Sequence, residues 1–315
     1  MEKEQTIIQS TSARKTEIFD RKTSKIMKSS GELSRRRHQT ADIFSHIFPS
    51  EVTLYNDALE EARQMRKDGF SFIIPYSHSE MRDPVDAVRT AIDFGEFFDD
   101  AEYLGPVAYH QDTSYMKFLA SRVAMEAKPI VTTHTIAKGK NFEPVPLKTK
   151  VREIFSHTNH QQEAAKELRL GHGLLEYNRA AAETLLHGGF VFIAPQGQRK
   201  EELGEPVGRP IEMITREAKR AGMDMDKIAI WTMGIMAEDK DSGNHNPNHS
   251  LRASLGRKVN INLGIPITLS ELQSIARERE LEEGRKITID EQIFEELAGL
   301  LPLSYSNKPE HQEDL

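Results

Sequence analysis

Phe190-Val191-Phe192-Ile193-Ala194-Pro195-Gln196-Gly197-Gln198-Arg199 is the stretch whose reading decides the fold. Its first five residues are apolar, β-branched or aromatic, and they are bounded by Gly188-Gly189 before and Pro195 after. A run this short with such borders reads as a buried strand rather than a helix. Upstream, Gln161–Leu186 reads as a helical stretch broken near Gly171 and Gly173. Downstream, helix Ile211–Ala221 leads to a strand over Ile228–Ile235. The same alternation precedes it. A helix over Glu51–Lys67, with Leu54, Ala58, Ala62 and Met65 on one face, stops at Gly69 before the apolar run Phe70–Tyr76. Then follow helix Pro84–Phe94, a strand near Tyr103–Tyr109, a helix near Ser114–Glu126 and a strand over Ile130–Ile136. Val259–Leu263 alternates with period two, and helices Leu269–Glu283 and Ile289–Leu300 close the body. Strands separated by helices predict an α/β fold, with a mainly parallel central sheet flanked by helices. The expected organisation is a basic, partly disordered or helical leader over 1–49, the α/β domain over 50–303 and a polar tail over 304–315.

Composition narrows the function classes. The chain has 315 residues and a formal net charge of −7, and it contains no cysteine. Disulfides, thiolate metal sites and a Cys nucleophile are therefore excluded. No apolar stretch reaches the ~18–20 residues of a spanning helix. Met1-Glu2-Lys3-Glu4 opens without the apolar core of a signal peptide, so a cytoplasmic protein is expected. Between Arg14 and Arg37 stand nine Lys/Arg against three acids. Such an arm suits peripheral contact with an anionic membrane, each cation near the surface contributing ~1 kcal/mol; it is equally a solvated polar leader. The remaining body is acidic, which argues against nucleic acid as a partner. No Gly-x-Ser-x-Gly, Walker-type or Gly-x-Gly-x-x-Gly segment occurs, which removes the main support for serine-hydrolase, nucleotide and dinucleotide readings. His245 and His249 have zinc-helix spacing, but Pro247 makes the segment a loop, and no metal or cofactor is expected. Trp231 and the methionines Met223, Met225, Met233 and Met236 read as core, or alternatively as the lining of an acyl-chain channel.

In open α/β sheets ligands gather outside the carboxyl ends of strands. After the first apolar strand comes His78-Ser-Glu-Met-Arg-Asp83-Pro84, where a turn can bring a carboxylate onto one imidazole nitrogen and leave the other as a base. Asp83 followed by Pro84 is equally a good helix start, with Asp83 as the cap, and the two roles are compatible because a carboxylate has two oxygens. After Ala194, Gly197 permits close backbone approach to a ligand and Arg199 offers a planar fork of donors suited to phosphate. At the end of the strand assigned to Ile130–Ile136 and just after it stand further cations, His134, Lys138 and Lys140, with His157 and His160 as a rival placement.

These residues together resemble the glycerolipid acyltransferase superfamily, most nearly the soluble plastid-type glycerol-3-phosphate acyltransferases. There the first motif is a His-Gln-x-x-x-Asp-Pro run and the later one reads Ile-Ala-Pro-Ser-Gly-Gly-Arg; here they stand as His78 to Pro84 and Ile193 to Arg199. Leu185-Leu186-His187-Gly188-Gly189 is similar to the family's run-in, and Lys258–Ile267 to its late strand with a Pro-bearing loop. The likeness covers Asp57 to Leu272, some two thirds of the chain. It implies a glycerol-3-phosphate acyltransferase-like fold with an N-terminal helical segment. It also implies His78 as base and Asp83 as its orienting acid. The acyl donor would be acyl-CoA or acyl carrier protein, and the acceptor a phosphorylated, glycerol-like molecule gripped by Arg199, Gly197 and the cations His134, Lys138 and Lys140. Ser follows His78 where the family has Gln, and Gln196 and Gln198 stand where the wider superfamily has an acid and a hydroxyl. A non-catalytic lipid- or partner-binding protein on the same scaffold is the alternative. A thioesterase, using the same base with water as acceptor, is a third reading.

Overall fold

A computed structural model gives the fold. It describes residues 49–78 (except 56), 103–108, 125–130, 172–196, 203–237 (except 205 and 207) and 258–302, with individual positions between 35 and 46 and between 83 and 90.

The strands are β1 (Ser50–Leu54), β2 (Ser71–Pro75), β3 (Tyr103–Ala108), β4 (Met125–Ile130), β5 (Phe190–Ile193), β6 (Ile228–Ile230), β7 (Met233–Ala237), β8 (Val259–Leu263) and β9 (Ile267–Thr268). The helices are α1 (Ala58–Lys67), α2 (His172–Leu186), α3 (Pro210–Arg220), α4 (Leu269–Glu283) and α5 (Ile289–Gly299). The strands form a six-stranded sheet in the order β4-β3-β5-β2-β6-β9 and a three-stranded sheet in the order β1-β8-β7. In the larger sheet every pairing is parallel except the edge pair β6–β9. In the smaller one β1–β8 is parallel and β7–β8 antiparallel. The chain is thus α/β with mixed sheets flanked by helices.

Alternation along the strands explains why both faces of the larger sheet are covered. Phe72, Ile74 and Tyr76 of the β2 region, with Phe190 and Phe192 of β5, pack on one face against Ala62 of α1 and Trp231. Ile73, Val191 and Ile193 turn to the other face, where Tyr177, Ala181 and Leu185 of α2, Ile214 of α3, Leu272 of α4 and Leu297 of α5 meet them. The Phe72 and Phe190 rings stack at 5.3 Å, and Tyr103 sits edge-on to Phe190 and Phe192 at 6.0 and 5.9 Å. Burying each such side chain contributes about 1.5–3 kcal/mol. Gly188 takes φ +72° and hands α2 to β5; Arg66 of α1 donates to its carbonyl oxygen and lies over the Phe190 ring.

Three elements depart from the sequence expectation. The helix expected over Glu51–Lys67 starts only at Ala58, because Ser50–Leu54 forms β1. The alternation of half-buried and exposed residues in β1 fits a strand paired to Val259–Leu263. The strand expected over Ile130–Ile136 instead occupies Met125–Ile130, so Met125 and Glu126 are extended rather than the end of a helix; residues 131–136 lie outside the described residues. Ile228–Ile235 is two strands rather than one. β6 stays in the larger sheet and β7 passes into the smaller one, with Trp231 and Thr232 at the crossing. α2 begins at His172, while 161–171 lie outside the described residues. Of the leader, Arg35, His38, Gln39, Asp42, Ile43 and His46 are helical and exposed; residues 1–34 and the tail from 303 lie outside the described residues.

Among the described residues, no helix is long and apolar enough to cross a membrane.

Candidate functional site

β2 and β5 are parallel neighbours with Pro75 opposite Ile193, so the two segments singled out in the sequence emerge side by side at carboxyl ends of one sheet. The β2 chain is held from both sides as it leaves. The Tyr76 N–H donates to the Ile193 carbonyl at 2.9 Å, and the Ser77 N–H donates to the Met233 carbonyl at 3.1 Å. Buried Ser77 also accepts the Ile235 N–H on its hydroxyl at 2.7 Å and donates to the Ile235 carbonyl at 2.9 Å. His78, the next residue, therefore springs from an anchored backbone.

The His78 Nδ1 stands 3.4 Å from the Asp83 Oδ2. The His78 side chain is 14% exposed and that of Asp83 is 1% exposed, so the imidazole reaches the surface while the carboxylate does not. The separation is longer than the about 2.7–3.2 Å of a tight bond. Unliganded catalytic pairs show such loose geometry and tighten with substrate. Asp83 is helical along with Asp86, Ala87, Arg89 and Thr90. The segment is tied to β1 through Arg89, which donates to the Ser50 hydroxyl. The Tyr76 ring meets the imidazole edge-on at 6.1 Å. Burial, and then the Asp83 charge, push the Tyr76 phenol up. The Tyr177 phenol is pushed up chiefly by burial as well, and donates to the Phe192 carbonyl at 3.2 Å.

Of the sequence-predicted residues, His78 and Asp83 are brought together. Arg199, Gly197, Lys138, Lys140 and His134 lie outside the described residues, as do the rival pair His157 and His160 and the loop pair His245 and His249. Trp231, Met233 and Met236 are buried, and the Trp231 indole N–H donates to the Gly264 carbonyl at 2.8 Å, which fits a core role. The residue that sequence reasoning passed over is Gln196. It is fully buried, accepts the His78 backbone N–H on Oε1 and donates from Nε2 to the Leu203 carbonyl at 3.2 Å. Its signal was its place two residues past the apolar run, where a polar side chain lies over the neighbouring strand end.

A cavity of about 510 Å³ opens elsewhere, between Gly204–Arg209 and the α4–α5 connection, lined in part by Arg279, Arg285 and Phe294. Its cations are matched by acids: Arg279 and Arg285 both pair with Glu283, at 2.7 and 2.9 Å, and Arg285 with Glu291 at 2.8 Å. This network fastens two helices. Among the described residues, no group of three or more His, Cys, Asp or Glu is placed to hold a metal ion.

What the site can do chemically is take a proton. A carboxylate facing Nδ1 can orient the ring, with Nε2 turned away from it as the nitrogen able to accept a proton from a ligand. No family model matches the chain, and no curated protein matches it.

Proposed function

We propose that the chain is an O-acyltransferase with a glycerol-3-phosphate acyltransferase-like fold. It would move a fatty acyl group from acyl-CoA or acyl carrier protein to a hydroxyl of glycerol 3-phosphate or a related phosphorylated acceptor. The observation that carries the reading is His78 at the end of β2, partnered by buried Asp83 and bonded to the Ala194-Pro195-Gln196 turn of the adjacent strand. In the step proposed, Nε2 of His78 takes the acceptor's hydroxyl proton as the oxygen attacks the thioester carbonyl. The C–O bond forms, the C–S bond breaks, and the imidazolium returns the proton to the leaving thiolate. No acyl-enzyme is required, in keeping with a chain that has no cysteine. The role of Arg199 is to grip the acceptor's phosphate, with His134, Lys138 and Lys140 completing that pocket. The basic leader supplies a peripheral contact with anionic membrane. The test is release of free thiol from palmitoyl-CoA, with and without glycerol 3-phosphate and a panel of phosphorylated alcohols. Acceptor-dependent release is expected. Release in water alone would show a thioesterase, and none at all with bound lipid would favour a non-catalytic binding protein.

A further inference from the structure

We infer that Gln196 is a positioning residue which couples the His78 base to Leu203, across the stretch of sequence that carries Arg199; this rests on the acyltransferase reading. Along the end of β2 the backbone donors alternate sides. The Tyr76 N–H goes to Ile193 of β5, the Ser77 N–H to Met233 of β7, and the His78 N–H returns to the β5 side. By the parallel ladder's rhythm, its next acceptor there is the carbonyl two residues beyond Ile193, that of Pro195. Pro195 and Gln196 are already in a turn, and the Gln196 side chain supplies the acceptor instead. One rung is thus added by a side chain after the backbone has left the sheet.

The opposite end of the same amide donates to the Leu203 carbonyl, seven residues on, and Leu203 is itself buried. The bond closes the segment Gln196–Leu203, which contains Gly197 and Arg199 in sequence. A primary amide meets both demands at once, an acceptor on Oε1 and donors on Nε2. A carboxylate meets the first and opposes a carbonyl with the second, and an apolar side chain meets neither. With no solvent contact at Gln196, water does not replace either bond. A single side chain therefore bonds the backbone that carries the proposed base and ties it to Leu203, beyond the stretch of sequence that carries the acceptor's proposed anchor.

The two bonds can be tested separately in the full chain. Gln196→Met keeps the volume and loses both bonds; Gln196→Glu keeps the acceptor toward His78 and loses the donor toward Leu203 only when its carboxyl is ionised, since the protonated acid donates an O–H there. Two readouts apply: steady-state kinetics with palmitoyl-CoA and glycerol 3-phosphate, and the imidazole nitrogen-15 signals of His78, which report its tautomer without turnover. For the Met variant kcat is expected to fall by about 100-fold, the size of effect that a ~1 Å misplacement of a reacting group produces. Its donor KM stays within about twofold, as befits lost transition-state rather than uniform binding, and the single Nδ1–H tautomer is lost. With its carboxyl ionised at alkaline pH, the Glu variant is expected to hold the tautomer and kcat within about fivefold while the acceptor KM rises about tenfold; at low pH, where the protonated acid donates to Leu203, the acceptor KM returns to within about twofold of wild type. The inference is overturned if folded Gln196→Met keeps the wild-type tautomer and kcat. It is also overturned if activity falls only in step with the folded fraction. Should the Met variant not fold, the kcat-against-KM split and the tautomer in Gln196→Glu decide. If the wild type shows no acceptor-dependent thiol release, the acyltransferase reading fails, and the nitrogen-15 comparison alone decides whether Gln196 orients the imidazole.

Discussion

Ser77 bonds to Ile235 in both directions, accepting its N–H at 2.7 Å and donating to its carbonyl at 2.9 Å. A side chain thereby acts as a ladder rung between the end of β2 and β7, where only Tyr76 and Met233 form a backbone bridge. Ser77→Ala leaves two backbone groups of a buried residue without that partner. The expected cost is about 1–3 kcal/mol, read as a lower urea midpoint at unchanged slope. Because His78 is the next residue, thiol release is expected to fall too. An unchanged midpoint would mean the rung contributes nothing.

His78 and Asp83 carry the proposed chemistry and can be separated from folding. His78→Ala removes the base, and a positioned base contributes about 10²–10⁴-fold, so acceptor-dependent thiol release is expected to drop by that amount with the circular dichroism spectrum kept. Asp83→Asn preserves shape but can present an N–H to Nδ1 and so hold the other tautomer; a fall of about tenfold or more is expected. Wild-type rates in both variants would remove His78 from the mechanism.

The sequence made the site's frame readable because its two central strands announce themselves locally. Phe70–Tyr76 and Phe190–Ala194 are short apolar runs between a glycine and a proline or polar turn, and they form β2 and β5 in register. What failed depends on distant partners. β1 shares its apolar spacing with the helix that follows, and only β8, two hundred residues away, makes Ser50–Leu54 extended. The division of Ile228–Ile235 was equally hidden. Both halves are apolar, and the change of sheet comes from Trp231, whose indole reaches Gly264 while its backbone N–H bonds to Ile73. Asp83 was readable as a cap or as a partner for His78, and its placement 3.4 Å from Nδ1 settles that it faces the imidazole. Gln196 carried a polar residue where the resemblance has an acid or a hydroxyl; nothing local disclosed that its amide spans two elements.

Asp290 gives a pH dependence of definite sign. α3 has no side-chain cap from its own N-cap residue Arg209; its Ile211 and Glu212 N–H groups donate instead to Asp290 of α5, at 2.9 and 3.0 Å. Burial outweighs these two bonds and pushes the Asp290 carboxyl up to about 6. The folded state then holds a proton that the unfolded chain, with an ordinary carboxyl near 3.9, has released. Unfolding releases protons between about pH 4 and 6, so this group's contribution to stability falls as pH rises through that window, by about 3 kcal/mol in all, and is flat above it. Glu283 and Glu291, both held below the usual range in the folded state, act with the opposite sign. The readout is therefore the difference between Asp290→Asn and wild type in urea midpoints at pH 4.5 and 7. The variant is expected to gain relative to wild type on going to pH 7. An equal pH dependence in the two proteins would show that Asp290 does not titrate there.

Two glycines at the same end of α5 make opposite predictions from one measurement. A Cβ on Gly234 of β7 would lie 2.9 Å from the Leu300 Cβ and 3.1 Å from its carbonyl oxygen, just beyond α5. Neither is the far end of a flexible side chain, so relief requires the backbone around Leu300 to move away from β7. That movement strains the bond in which Asn262 of β8 donates to the same Leu300 carbonyl at 2.7 Å. Gly234→Ala is therefore expected to cost about 1–3 kcal/mol by overpacking. Gly299, the last residue of α5, has nothing within 4 Å of an added Cβ, and its φ lies outside the positive range that side chains avoid. Gly299→Ala meets no clash and restricts the unfolded chain, so it is expected to be neutral or to stabilise by up to about 1 kcal/mol. The urea midpoint of Gly234→Ala should fall below the wild-type value, and that of Gly299→Ala at or above it. No loss in Gly234→Ala would mean that the Leu300 backbone does not pack against β7 as closely as 2.9 Å requires.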